Sequence, residues 1–245
     1  MFYGLIAGVS SGGKGAFPQP GVGPVSATTR NGRRMDYEQI ANASINPDLN
    51  RLHPAPYIVI DTVVLPGTRE LLDALGVLVQ LSERVRSARN SNDEYFRGEL
   101  FPLEGEWEAD AAYEVLDFDA GITGTIMMRQ PDSLTPTEFE EHKRGLAQAT
   151  GFVQHGYLEC ARLAIVDEGL CVQMRHFGPY HDEPASFAAM ERYLEEHNLL
   201  RKHERIHREI YFVDARTASP EAYETVLRVQ VGDGEHDSGL NQNAA

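Results

Sequence analysis

Two short stretches in the second half of this 245-residue chain carry residue types suited to acid–base or cation-binding chemistry: HFGPYHDE, from His176 to Glu183, and HREIYF, from His207 to Phe212. Side chains alternate along a strand, so His207, Glu209, Tyr211 and Val213 share one face and Arg208, Ile210 and Phe212 the other. A carboxylate beside an aromatic ring holds a cation by charge and by ring quadrupole together. Burial in apolar surroundings also raises a carboxyl pKa, which readies it for proton transfer. With Ile210 and Phe212 assigned to the helix-covered side, Glu209 and Tyr211 are expected to face an open pocket. The competing reading pairs Glu209 with Arg175 or Arg228. In the other stretch Gly178-Pro179 forces a turn and Pro184 suits the first turn of a helix. His176 then lies in a strand and Tyr180 in the turn, while Glu183 either caps the helix or projects into the pocket. Two carboxylates and their tyrosines in one cleft can position a water and deliver a proton.

Trp107, the sole tryptophan, follows LEGE and either walls the pocket or joins the core. Tyr57 and Asp61 alternate with Ile58 and Ile60 and are expected at the same seam. His197, His203 and His207 straddle a helix end, a loop and a strand and match no metal-ligand spacing, so no metal is assigned. No GxGxxG, GxxxxGK[ST] or GxSxG pattern occurs, and neither cysteine has a nucleophile's surroundings. No cofactor is expected.

These residues need a scaffold that brings them together. PYIVIDTVVLPG from Pro56 reads as a buried strand, followed by a helix capped at Thr68 whose apolar residues Leu71, Leu72, Leu75, Val79 and Val85 recur at helical spacing. LFPLEGEW and ITGTIMMRQP read as strands flanking a loop at Asp117 and Asp119. Thr135-Pro136-Thr137-Glu138 is a capping box opening a helix that runs toward Val153. The order then repeats: strands at LECARLAIV and LCVQMRHFG, a helix from Pro184 to His197 with Asn198 at its left-handed end, and strands at REIYFVDA and ETVLRVQV. The expected fold is α+β, with duplicated strand-helix-strand-strand units, about 56–131 and 157–231, forming an antiparallel sheet with helices on one face and a ligand pocket at the seam. Residues 51–232 make up this domain, between a disordered N-terminal extension (1–50) and a disordered tail (233–245).

A hydrophobic content of 42% can supply a substantial core, and the net charge of −15 repels nucleic acid. Lys14, Arg30, Arg33 and Arg34 sit in an acid-free stretch, which leaves the remainder more acidic still. Such a surface gathers cations. No apolar run is long enough to cross a bilayer, and the opening residues lack a signal peptide's basic region. The chain is therefore expected in the cytoplasm, as a monomer or homodimer, without nucleic-acid or membrane partners. Cys160 and Cys171 fall in stretches read as strands and are expected to be reduced core thiols.

Taken together, PLEGEW, TGTIMMRQPDSLT, DEGLCVQMRHFGPYHDEPASFAAM, HREIYFVDAR and ETVLRVQV resemble the GyrI-like small-molecule-binding family, especially stand-alone members with HxGPYxxE and HxEIYL motifs. The resemblance runs from about Tyr57 to Val231. It implies a fold like the effector-binding domains of multidrug-sensing regulators, with a pocket for hydrophobic, often cationic, compounds. The family's ligand-contacting acid falls on Glu209. Some stand-alone members are assigned as hydrolases that open the cyclopropane ring of DNA-alkylating natural products. By motif match, the catalytic acids of such an enzyme fall on Glu183 and Glu209. Tyr180, Tyr211 and Trp107 then serve as walls or proton donors, and with Tyr57 and His176, read from their strand positions, they make up the expected ligand-binding set. Glu106 and Glu108, which flank Trp107, depart from the family pattern and imply a more acidic rim. Two functions follow: sequestration of hydrophobic or cationic xenobiotics, or cyclopropane hydrolysis by acid–base activation of water.

Overall fold

The computed structural model describes residues 40–64, 69–89, 100–108, 122–149, 155–214 and 217–233. Within them lie β1 (Asp48–Leu52), β2 (Ala55–Val64), α1 (Arg69–Ala88), β3 (Leu103–Glu108), β4 (Ile122–Arg129), α2 (Pro136–Ala147), α3 (His155–Cys160), β5 (Arg162–Val166), β6 (Gly169–Phe177), α4 (Glu183–Glu196), β7 (Leu199–Arg201), β8 (Ile206–Tyr211) and β9 (Glu224–Asp233). The strands form one antiparallel sheet in the order β1-β6-β9-β8-β3-β4-β2-β5, and β7 pairs with the far end of β9. The α+β class expected from the sequence holds. β2, α1, β3 and β4 occupy the strand order β3-β4-β2, and β6, α4, β8 and β9 the order β8-β9-β6. The two sets meet where β3 pairs with β8, with Trp107 opposite His207, Gly105 opposite Glu209 and Leu103 opposite Tyr211.

Each helix covers the half of the sheet beside which it is strung. On α1, Leu71, Ala74, Leu78, Leu81 and Val85 recur every three or four residues and are buried. They pack on Ile58, Ile60, Ile126, Met128 and Leu103. On α4, Phe187, Met190 and Leu194 pack on Val172, Met174, Leu227 and Val229. The centre of the same face, along β3 and β8, carries Trp107 and Tyr211.

This reverses the faces expected for β8. Glu209 and Tyr211 lie on the helix-bearing side, whereas Ile210 and Phe212 lie on the opposite side with Ile40 and Val226. Both faces of the central strands are buried, so alternation separates the two residue sets without saying which set meets the helices. The cover on the second face comes from chain assigned to a disordered extension. Arg175 donates to the carbonyl oxygens of Ala41 (2.6 Å) and Ala43 (3.1 Å) and pairs with Glu224, while its backbone N–H donates to Ser44 O at 2.7 Å. β1 continues that segment as an edge strand on β6. The domain boundary expected at residue 51 therefore falls inside a strand.

Further differences concern the middle of the chain. The capping box is present as read: Thr135 Oγ1 accepts from Glu138 N at 3.2 Å, and Glu138 Oε2 accepts from Thr135 N at 2.9 Å. The helix it opens ends at Ala147, short of Val153, which lies outside the described residues, as do Thr68 and the Asp117–Asp119 loop. LECARLAIV divides into the end of α3 and the strand β5, so Cys160 is a helical, exposed thiol, whereas Cys171 is buried in β6 as expected. Leu158 and Ala161, three apart, turn the same way into the α1 core, which is helical spacing that β-branched neighbours obscured. Asn198 does take the left-handed conformation, with φ 52°. Among the described residues, no helix is long and apolar enough to cross a membrane.

Candidate ligand site

The site begins with two glycines. A Cβ on Gly105 would come within 2.5 Å of the Trp107 indole, and one on Gly124 within 2.4 Å. Glycine in a strand interior marks a place where another group lies close to the backbone, and here that group is the indole, flat across β3 and β4. In this position Trp107 Nε1 donates to the Tyr211 hydroxyl at 2.8 Å. Tyr211 in turn donates to Glu209 Oε2 at 2.8 Å, and Glu209 Oε1 lies 2.9 Å from His207 Nε2. Both oxygens of Glu209 thus have a hydrogen-bond partner, in a side chain only 2% exposed. The ion-pair alternative does not hold, because Arg175 pairs with Glu224 and Arg228 with Glu168.

The HFGPYHDE stretch closes over this row. Gly178 has φ 114°, a conformation that favours glycine, and its N–H donates to Tyr223 O at 3.0 Å, which ties the turn to the start of β9. His176 sets the turn's other side, with Nδ1 at 3.0 Å from Ser186 Oγ and Nε2 at 3.4 Å from Pro179 O. Burial holds its pKa below the usual imidazole value. Tyr180, in a 3-10 turn, meets the Tyr211 ring edge-on with centroids 6.1 Å apart and lies 5.0 Å from the Tyr223 ring. Phe187 of α4 meets the His207 ring at 4.9 Å. Burial, and then the nearby Glu209 charge, raise the hydroxyl pKa values of Tyr180 and Tyr211, so both phenols keep their protons and remain donors.

Glu183 does not cap the helix. Asp182 takes the N-cap position without a side-chain hydrogen bond, and Glu183 turns inward, 4% exposed. Its Oε1 has no hydrogen-bond partner among the described residues. Burial first, and the Glu209 charge second, push its pKa well above the ordinary carboxyl value. The seam therefore joins a buried carboxyl with an unpartnered oxygen to one with a partner on each oxygen.

Of the residues expected at the seam, Glu183, Glu209, Trp107, Tyr180 and Tyr211 come together, and His176 braces the turn above them. Tyr57 does not join them. It lies on the opposite face, where its hydroxyl donates to Glu104 Oε1 at 3.1 Å. There Arg208 binds Glu168 (2.9 Å), Glu104 (3.4 Å) and Glu106 (2.9 Å), and Arg228 binds Glu168 at 2.6 Å. Although burial opposes its charge, these carboxylates hold the Arg208 pKa above the usual value. The small cavity beside Tyr57, Arg129 and Glu168 has room for about one water. Asp61, also expected at the seam, pairs with Arg162 at 3.0 Å in an exposed contact. Among the described residues, no cluster of His, Cys, Asp or Glu is arranged to hold a metal. The set of residues expected at the site left out His207 and Tyr223. His207 was recoverable, since it stands two residues before Glu209 on the same strand face, whereas Tyr223 carries no motif signal.

Comparison with known proteins agrees with this architecture. Residues 120–231 match the family model of the GyrI-like small molecule binding domain, which bears out the resemblance carried by the two motifs and supports small-molecule binding. Two crystal structures of hydrolases from Listeria innocua superpose with TM-score 0.69 at 24% and 25% identity, each covering 81% of this chain and 98% of its own. An uncharacterized conserved protein from the same organism does so at 26% identity, with the same TM-score and coverage. No curated protein matches the chain.

Proposed function

We propose, from the GyrI-like match over residues 120–231 and the arrangement at the β3–β8 seam, that the protein captures hydrophobic or cationic small molecules against Glu209. The observation that carries this reading is the Trp107–Tyr211–Glu209–His207 row: an oriented carboxylate set among aromatic rings, beneath Tyr180. A cation placed there gains Coulomb attraction in a poorly hydrated setting and cation–π contact with the rings. Glu209→Gln keeps the side chain's shape and removes its charge. The variant is expected to melt as a folded protein but to lose the thermal stabilisation that crystal violet, a permanent triaryl cation, gives the wild type. Full stabilisation of the variant would remove Glu209 from the site. Loss of its fold would make Glu209 a structural group instead.

A second reading is favoured by the two buried acids at one seam and by the likeness to the Listeria innocua hydrolase at 25% identity. Glu209 takes a proton from water as the water oxygen bonds to a ring carbon of a cyclopropane-bearing alkylator. The ring C–C bond breaks, its electron pair moves into the conjugated acceptor, and Glu183 or a tyrosine supplies the proton that acceptor needs. The product is the substrate plus one water. Incubating the protein with such an alkylator and weighing the product by mass spectrometry decides between the readings: bound but unchanged compound leaves capture alone, and a ring-opened hydrate establishes turnover.

A further inference from the structure

Glu209 and Glu183 share one buried site but differ in what satisfies them. Glu209 has a hydrogen-bond partner on each oxygen. Glu183 is nine-tenths buried or more, with Oε1 unpartnered among the described residues, and neither acid has an arginine or lysine partner there. A buried carboxyl in that position costs least with its proton on, and one incoming positive charge removes that preference.

Among the described residues, the ionisable groups around the Glu183–Glu209 pair are His207 and Tyr211 from β8, His176 from β6, Tyr180, His181 and Asp182 from the turn, and, beyond Tyr180, Tyr223 and Asp214 from the chain between β8 and β9. His181 and Asp182 point to solvent and pair with each other at 3.5 Å. The buried phenols keep their protons, and burial, first of all, lowers the His176 pKa. Of the buried acids at the seam, Glu183 is the one whose oxygen an incoming ligand can still satisfy.

We propose that Glu183 exchanges its proton for the ligand: a cation seated against Glu209 leaves Glu183 as a carboxylate on the cation's other side, and the displaced proton goes to solvent. The site then presents two negative charges to a bound cation and only one to an empty seam. This deepens the capture reading above and rests on it. The site would select monovalent lipophilic cations over neutral compounds of equal size more strongly as pH rises.

The test is isothermal titration of the full chain with crystal violet, whose own charge is fixed between pH 5 and 8, in two buffers of different ionisation enthalpy. The wild type is expected to release about one proton per cation bound, with affinity rising up to about tenfold per pH unit while Glu183 is still protonated in the free protein. Glu183→Gln is expected to bind the dye with no proton release and a flat pH profile. Wild-type binding without proton exchange overturns the inference and leaves capture at Glu209 standing. Release that persists unchanged in Glu183→Gln also overturns it, and transfers the proton to another group at the seam. No binding of crystal violet overturns it together with the cation reading beneath it. Because the wild-type proton count can fail by itself, the test stands even where the variant does not fold.

Discussion

Glu209 is fixed by two partners of different chemistry, a phenol and an imidazole, and each is fixed in turn by packing: the phenol by the Trp107 N–H and the imidazole by the Phe187 ring. The acid beside it is not fixed in this way, and that difference has a measurable consequence. The folded pKa of Glu183 lies above its unfolded value, so its contribution to stability is present below the ordinary carboxyl pKa of about 4.3 and is lost as pH rises through the folded value. Glu183→Gln cannot ionise. Its urea midpoint is therefore expected to pull ahead of the wild type as pH rises from 5 to 8, by up to about 1.4 kcal/mol per pH unit within the titrating window. Parallel pH profiles would mean that Glu183 ionises as freely in the fold as outside it. At Gly124, substitution by alanine drives a Cβ into the indole and is expected to cost about 1–3 kcal/mol. Because Trp107 is the sole tryptophan, its emission should shift in the same variant as the ring leaves Tyr211. At this scale the sequence disclosed which residues matter more readily than what they touch. Glu209, Tyr211 and His207 share a face by alternation alone, but the indole's place on two glycines needed β4 beside β3.

The elements were legible where local chemistry defines them. The capping box at Thr135 and Glu138 needs only four residues of sequence, and it stands as read. Thr135→Ala should cost about 1 kcal/mol in chemical denaturation, since it frees the Glu138 N–H at the start of α2. A loss well under half that would mean solvent replaces the cap. Where an element's end depends on a neighbour, the sequence was less informative. Lys143 of α2 reaches across to the carbonyl oxygens of Glu159 (3.0 Å) and Ala161 (2.7 Å), satisfying the end of α3 from another helix. No window of sequence around Cys160 contains that lysine, so the end of α3 was not legible there. β1 and β7 went unread for a related reason: five and three residues long, they owe their conformation to the edges of β6 and β9 on which they lie.

Across the whole molecule, the sheet separates two buried polar systems. The helix side carries the Glu183–Glu209 seam, and the other side a network in which Arg208 and Arg228 answer Glu104 and Glu168. Arg208 is 3% exposed, so Arg208→Met leaves Glu104 buried without its arginine and should cost about 3–5 kcal/mol in urea unfolding. Replacing Glu104 as well, by leucine, should recover much of that loss, and no recovery would show that the pair is not the unit that matters. The α+β class, most of the strands and helices, the acidic surface and the two motifs follow from hydrophobic period, caps and turn residues, all of which act over a few positions of chain. Which face of β8 meets the helices does not. Residues 40–52 and the two helices bury opposite sides of the same strands, and only their competition for those sides places Glu209 under α4 and Tyr57 away from it. That Glu183 Oε1 has no partner among the described residues is likewise a tertiary outcome, because it depends on where each neighbouring element lies.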